Sequence, residues 1–596
     1  MSDPTSDTSP RGRQDPRLLL VVLTVLPFLA ARLSLAPWWL SGWFVLVVGV
    51  AALLIARRIA LVVAVLVLIS TLAASAVDGL AAVSSRPLVR STIELVSDPA
   101  PTAFGLRMVA RLDGSHVSVT VPFAQARLVE QLGARDQLMV SGVLEGRRPT
   151  TDWAISRRIV GELALGQVHA AGRSTGPAGL ATEFRELIRD GARSLPTDRR
   201  VLFTGLVFGD DRGQDPIVAD NFRASGLGHL LAVSGQNVVF VLLLGAPLLS
   251  RIRSLTFRAS ASLLILAAFG FVTRFEPSVL RAIVMASLLI ISGAVGRPAV
   301  AAQVLPAAVA GVLIFDPLLA WSLAFQLSVA ATLGLIVIAP WLFERLIGPF
   351  PIRAAVAATS AAQLAVAPLL FTSIGSVSAV AIPANLLAAP AAAGVMMWGL
   401  VVGPVAGLGP PELATMLHLP THAMLWFIDG VAAQGARMEV GELTAGHLAT
   451  LVLGFVVLRR VPILGRALLL IVTVVVLVAP PPLPPGTHVL ADGVEVTRST
   501  DGHDVVVLEG NVRVDQVIES LRTARVGRID ALITTSRSRA TGRVVAVIVD
   551  RFDVVDVWAP LGHEIPHARV VDPIGGRVGT LIISEEPDGQ IRVLGA

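Results

Sequence analysis

Apolar runs recur along the chain, many about 18–25 residues long, enough to cross roughly 30 Å of hydrocarbon as an α-helix. They fall near 17–35, 37–56 and 59–82, then near 227–249, 259–273, 278–295, 299–315, 317–341, 354–373, 376–403, 445–459 and 463–480. Residues within them do not alternate between apolar and polar, which excludes spanning β-strands. Between about 86 and 175 the pattern switches to short period-two stretches, among them Leu106-Arg-Met-Val-Ala-Arg-Leu and Val117-Ser-Val-Thr-Val, broken by Gly, Pro and Asp. That pattern predicts a small β domain. Residues 182–200 predict an amphipathic helix with Phe184, Leu187, Ile188 and Leu195 on one stripe and Arg185, Glu186, Arg189 and Asp190 on the other; such a helix suits the membrane interface. Pro383 and Pro390 interrupt the run at 376–403, which predicts a broken or re-entrant pair there.

The tail of 16 residues is polar, and Arg11, Arg13 and Arg17 stand just before the first apolar run, with Arg57-Arg58 before the third. Arginine-bearing breaks at 251–258, 296–297, 345–353 and 459–466 alternate with arginine-poor ones. By the excess of basic residues on cytoplasmic loops, these breaks face inward, while the β domain and everything after 480 face outward. A proline-rich linker at 481–486 leads into 487–596, where strand-like segments such as Val505-Val-Val-Leu and Ile529-Asp-Ala-Leu-Ile-Thr-Thr flank a helix at 513–527. Alternation of this kind predicts a small α/β domain. The expected plan is a disordered tail (1–16), three leading spans (17–85), an external barrel-like β domain (86–175), an interfacial helix (176–205), a membrane core (206–480), the linker and the α/β domain. In total it has about 11–13 membrane segments.

Composition agrees: 54 % of the 596 residues are hydrophobic and 15 % charged, with a mean hydropathy of +0.73. All 48 basic residues are arginine and none is lysine, for a net charge of only +5. A coding bias toward arginine accounts for that, although guanidinium groups also suit phosphate through bidentate hydrogen bonds. The absence of cysteine excludes disulfides, thiolate metal sites and cysteine nucleophiles. Without a lysine there is also no nucleotide-binding Gly-Lys-Ser/Thr loop, so any ATP-driven pull belongs to another protein.

Polar residues inside the apolar runs carry the chemistry. The densest signals are Phe208-Gly-Asp-Asp-Arg-Gly and the stretch Asn221 to Val238, which places His229, Ser234, Gln236 and Asn237 at the mouth of a span. Such groups are costly in hydrocarbon unless they meet one another, backbone or water; packing between spans is the other reading. Arg281 lies about one turn into a span, either snorkelling or facing a wet passage used by anions. Gln326, Gln363 and Asn385 extend a polar seam through later spans. His229 and Ser234 lack a nearby carboxylate for a hydrolytic triad. His418 and His422 have helical metal-pair spacing, but Pro420 separates them and no acidic third ligand follows.

Together these residues resemble the ComEC/Rec2 family of competence channels. Phe222-Arg-Ala-Ser-Gly-Leu-Gly-His-Leu-Leu-Ala-Val-Ser-Gly-Gln-Asn is similar to the family's characteristic stretch, and Pro277 through Arg281-Ala, Met285, Asp316-Pro, Phe325-Gln-Leu-Ser and Ala384-Asn-Leu-Leu-Ala-Ala-Pro follow in the family's order. The resemblance implies a polytopic helical channel in the bacterial cell membrane that takes up single-stranded transforming DNA. It also implies an external OB-like domain, a C-terminal metallo-β-lactamase-like domain, and as partners a DNA receptor and a cytoplasmic translocase. The pathway residues expected from it are His229, Ser234, Gln236, Asn237, Arg281, Gln326 and Asn385. Where the family's active nuclease-like domain carries a His-x-His-x-Asp-His metal cluster, this chain has Thr535, Arg537, Arg539 and Ala540. The expectation is therefore a degenerate, metal-free domain with no enzymatic activity and no cofactor. In it Arg537, Arg539 and Arg543, with Arg522, Arg525 and Arg528 on the preceding helix, either hold DNA or serve only docking and folding. Rival functions are a secondary transporter of a small anion and a membrane-anchored metal-dependent hydrolase.

Overall fold

The computed structural model describes residues 16–32, 57–102, 105–130, 132–373, 377–378, 380–437, 442–443, 484–510, 512–524, 526–534, 536, 539–558 and four short strands beyond. The spans expected at 37–56, 445–459 and 463–480 lie outside these residues. Two leading helices, Pro16–Arg32 and Arg57–Asp78, pack on each other and on the membrane core.

The β domain follows, with strands β1 (Arg86–Leu95), β2 (Ala100–Thr102), β3 (Gly105–Leu112), β4 (Ser115–Pro122), β5 (Gln137–Gly146) and β6 (Ile159–Gly172). Their order is β1-β5-β6-β4-β3-β2, and β1 also pairs with β3 at Glu94–Arg111 and Leu95–Ala110. Strands β1, β3, β4, β5 and β6 thus each have at least two neighbours, β4 and β6 running parallel and the other pairs antiparallel. Period-two alternation sends Val117, Val119 and Val121 of β4 inward, where they are fully buried with Ile93, Leu95 and Leu138. A short helix, Phe123–Val129, links β4 to the strand that follows.

Four described helices are long and apolar enough to span a membrane: Leu255–Val272, Pro277–Ala294, Phe350–Ser373 and Ala381–Leu408. A fifth candidate is the pair Leu323–Val337 and Ala339–Arg345, bent by 43° where Pro340 removes a backbone donor. The break expected at 376–403 is absent: Ala381–Leu408 is one helix with Pro390 and Pro404 inside it. Shorter apolar helices include Gly235–Leu249 and Ala301–Phe315.

The helices form two bundles. One contains Phe325, Trp321, Leu313 and Val309 with residues of the two leading helices, and it takes in Ile155 and Val160 from the β domain. The other gathers Phe203, Phe208, Ile188, Val395 and Leu425 from helices Gly176–Gly191, Thr197–Phe208, Ala381–Leu408 and Pro411–Arg437. A smaller cluster with Val233, Val238, Phe269, Val279 and Met396 lies between them. The helix expected across 182–200 ends at Gly191, and its apolar stripe packs on Ala381–Leu408 instead of resting on lipid. Small residues set that crossing: a Cβ on Gly407 would lie 2.2 Å from the Leu187 carbonyl oxygen, and one on Gly191 would lie 2.2 Å from that of Gly403.

A two-residue pairing joins β7 (Val377–Ser378) to β8 (Glu442–Leu443). The C-terminal region forms a second sheet from β9 (Gly486–Ala491), β10 (Val494–Arg498), β11 (Asp504–Leu508), β12 (Arg528–Thr534), β13 (Asp553–Trp558) and β14 (Val570–Val571). Its order is β14-β13-β12-β11-β10-β9, antiparallel from β9 to β11 and parallel from β11 to β14. The strand at Asp504–Leu508 is buried along its whole length, as a central strand covered on both faces requires. Helices Val514–Thr523 and Arg539–Arg551 supply the crossovers.

Candidate functional site

The stretch from Ser225 to Asn237 is wedged between two spans. Gly226, at φ +75, presses so closely on Ala381 that a Cβ would lie 2.3 Å from its side chain. Further along, His229 Nδ1 donates to the Gly226 carbonyl, 3.3 Å away, and the ring hydrogen-bonds Asn385 on helix Ala381–Leu408. At the other end of the stretch Ser234 donates to Asn237 Oδ1 (3.2 Å), and Asn237 donates to the Leu206 carbonyl (3.4 Å). Ser278 closes the contact by donating to the Val233 carbonyl at 2.8 Å.

Arg281 stands behind this wedge. It is 7 % exposed, and Gly235 fits against its guanidinium so tightly that a Cβ there would sit 2.6 Å from Nη2. Its Nε donates to Ser328 Oγ at 2.9 Å and Nη1 lies 3.0 Å from Met285 Sδ. No carboxylate pairs with it among the described residues. A guanidinium cannot be deprotonated to escape the cost of burial, so Arg281 is an uncompensated cation held by neutral groups.

The structure therefore places His229 with Asn385 at one end of the 225–237 stretch and Ser234, Asn237 and Arg281 at the other, where it adds Ser278 and Ser328. Two expected residues stand apart. Gln236 is exposed and makes no hydrogen bond among the described residues. Gln326 instead donates to the Ala320 carbonyl at 2.7 Å within its own bundle. Of the metal-pair candidates, His418 meets Thr421 and the edge of Phe203, while His422 is 2.6 Å from Arg199. No group of three or more potential ligands gathers among the described residues.

A second cluster lies where the β domain meets the core. Arg185, 2 % exposed, donates to Asp98 at 2.7 Å and to the Val272 carbonyl at 2.9 Å, and stacks 4.6 Å from Phe208. Asp210 accepts from Arg189 Nε at 2.9 Å and Arg212 Nε at 2.6 Å, and Arg212 also reaches the Glu130 and Leu132 carbonyls. Arg274 pairs with Asp98 at 3.5 Å and donates to the Ala134 carbonyl. Burial opposes ionisation of Asp98, but Arg185, Arg274 and Arg212 overcome it and hold the carboxyl below the ordinary range. Asp210 is lowered likewise, its desolvation outweighed by Arg212, Arg189 and Arg185. Burial draws Arg185 down to about 10, so it stays charged at neutral pH. Nearby, Glu276 lies at the surface, and desolvation by its neighbours raises its carboxyl against the pull of Arg157.

Arg185 belongs to the helix face expected to meet water, and Asp98 is a lone loop residue; nothing in their spacing connects them. Only the Phe208-Gly-Asp-Asp-Arg-Gly stretch signalled this junction in the sequence. In the C-terminal domain, Arg522 and Arg551 both turn to Asp220 of the core, at 3.2 and 3.3 Å. Arg528 lies 3.4 Å from Asp530. Thr535, Arg537 and the side chains of Arg539 and Ala540 lie outside the described residues, and Arg543 has an interaction within the protein.

Several long apolar helices, a seam built around a buried arginine and a β domain fastened to one end define a multi-pass membrane protein. Residues 206–482, the membrane core, match the model of the Competence protein family. That match points to a role in DNA uptake during competence. No curated protein and no solved structure matches the chain.

Proposed function

We propose that the chain is a channel that carries single-stranded DNA across the cytoplasmic membrane, with the seam at Arg281 as its gate. The observation that carries this reading is the uncompensated Arg281 guanidinium, seated on Ser328 and covered by the Gly235 wedge. A phosphodiester passing the seam supplies the missing anion, and movement of the 225–237 wedge uncovers it. Arginine suits this task because its planar fork binds phosphate oxygens in pairs.

The strand order of the β domain, with β4 parallel to β6 and a helix after β4, supports an OB-type barrel. The mixed C-terminal sheet supports a metallo-β-lactamase-like domain, which we assign no metal, cofactor or hydrolytic activity on the strength of Thr535, Arg537, Arg539 and Ala540 at the ligand positions.

Orientation follows from which ends the soluble domains touch. The β domain contacts the C-terminal ends of Leu255–Val272 and Ala301–Phe315 through Arg274 and Asp316. Asp220, which holds the C-terminal domain, lies just past the Arg212 loop that grips the β domain. Both domains thus occupy one end, and the arginine-bearing loops at 250–258, 295–300 and 345–353 occupy the other. The excess of arginine supports a cytoplasmic position for that other end, and with it an outside position for both domains. A DNA receptor outside and an ATP-driven translocase inside complete the system in this reading.

Arg281→Ala and His229→Ala, each expressed in competent cells at matched membrane levels, should lower DNA uptake at least about tenfold, the scale of losing one charged contact. Unchanged uptake in both would remove these residues from the pathway.

A further inference from the structure

The end of the bundle opposite the soluble domains carries a surface that the DNA pathway does not explain. In the loop and first helical turn from Ser250 to Arg258, three arginines (Arg251, Arg253 and Arg258) are exposed, and no acidic residue accompanies them. None of the three guanidinium groups pairs with a carboxylate among the described residues. Arg258 even stands in the first turn of Leu255–Val272, where the helix dipole disfavours a cation unless an anion lies close by. Between the arginines, Leu255 and Phe257 point outward, Phe257 at 73 % exposure. The neighbouring loop repeats the arrangement. Arg345 stacks on Trp341 at 4.2 Å and Arg353 on Phe343 at 4.3 Å, beside the fully exposed Ile347.

We infer that this surface binds the phosphate headgroups of anionic phospholipids. The charge complementarity is one-sided: the segments 246–258, 292–300 and 338–353 contain six arginines and a single acid, Glu344. The apolar members choose between the anionic candidates. Leu255 and Ile347 offer no π-face to a base, and with the exposed Phe257 they form an apolar set that inserts at the boundary between headgroup and acyl chain, where arginine stems reach back to phosphate. Stacking on Trp341 and Phe343 holds two guanidinium groups in fixed positions and leaves less freedom to lose on binding. The inference needs only the bundle's end-to-end geometry, so it stands or falls separately from the gate at Arg281.

The test uses the full-length chain in detergent, titrated with phosphatidylglycerol or phosphatidylcholine, with thermal unfolding as readout. Wild type should gain several degrees more from phosphatidylglycerol than from phosphatidylcholine. Arg251→Gln/Arg253→Gln/Arg258→Gln should lose at least half of that difference while unfolding normally in phosphatidylcholine. Equal shifts for the two lipids in wild type would overturn the inference without recourse to any variant. So would a triple variant that keeps its lipid preference but no longer binds a single-stranded oligonucleotide, because the surface would then belong to DNA.

Discussion

Two buried arginines in this protein have opposite surroundings. Arg185 faces Asp98 and Asp210 and packs on Phe208, so its charge is answered within the fold. Arg281 has only Ser328 and Met285, so its charge is answered by nothing in the described protein. The first arrangement is structural, and truncating one member of such a buried pair costs about 3–5 kcal/mol because the other is left unpaired. It also fixes a pH dependence. Asp98 and Asp210 both titrate below the ordinary aspartate value of 3.8, so on acidification the unfolded chain takes up their protons first. Their stabilisation is complete above that value and is lost as pH falls through the lowered native values. The unfolding midpoint of the solubilised chain, as far as this cluster sets it, should stay level from about pH 7 to 5 and drop below about 4. Asp210→Asn should lower it at neutral pH and flatten the acid limb; an acid limb as steep as in wild type would place the titration elsewhere.

At the level of elements, apolar periodicity located most of the helices and strands, since each needs one face or stripe covered. It could not say what covers the other face. Arg185, Glu186, Arg189 and Asp190 read as a solvated stripe, yet the β domain lies over Arg185 and turns that face into a joint. Pro390 read as a break because proline removes a donor and crowds the preceding turn. Helix Ala381–Leu408 carries it unbroken between packed neighbours, while the real bend falls between Val337 and Ala339, just ahead of Pro340. The seam was legible from its polar residues, because hydrocarbon penalises them wherever they lie. The departures of Gln236 and Gln326 were not, because sequence does not fix which way a helical glutamine turns. The crossing of Gly176–Gly191 with Ala381–Leu408 depends on residues without side chains. In Gly407→Ala a methyl group would meet the Leu187 carbonyl at 2.2 Å, and backbone on both helices must move. Overpacking of this kind costs about 1–3 kcal/mol, so thermal unfolding of Gly407→Ala should occur several degrees below wild type. An unchanged midpoint would mean that the helices do not approach so closely.

In the whole molecule the β domain bridges the two bundles. On one side it is fastened by the buried Arg185–Asp98 pair, and on the other by the more exposed Arg158–Asp316 and Arg32–Asp152 pairs. In the proposed channel, a change in the spacing of those bundles opens the seam with Arg281. Attachment of the C-terminal domain to the core involves Asp220, which is buried and shared by Arg522 and Arg551. Asp220→Asn should therefore loosen the domain, seen as faster proteolytic cutting at the proline-rich linker with the core left intact; cutting at the wild-type rate would show that other contacts hold it. Because the natural chain has no cysteine, single cysteines can be introduced without background. The most direct test of the channel is Ser328→Cys, which places one thiol at the position that holds Arg281. A single strand stalled in transit by a bulky end should shield this thiol from a small maleimide, whereas duplex DNA should not. Labelling that proceeds at the same rate with and without the stalled strand would contradict a DNA path through the seam.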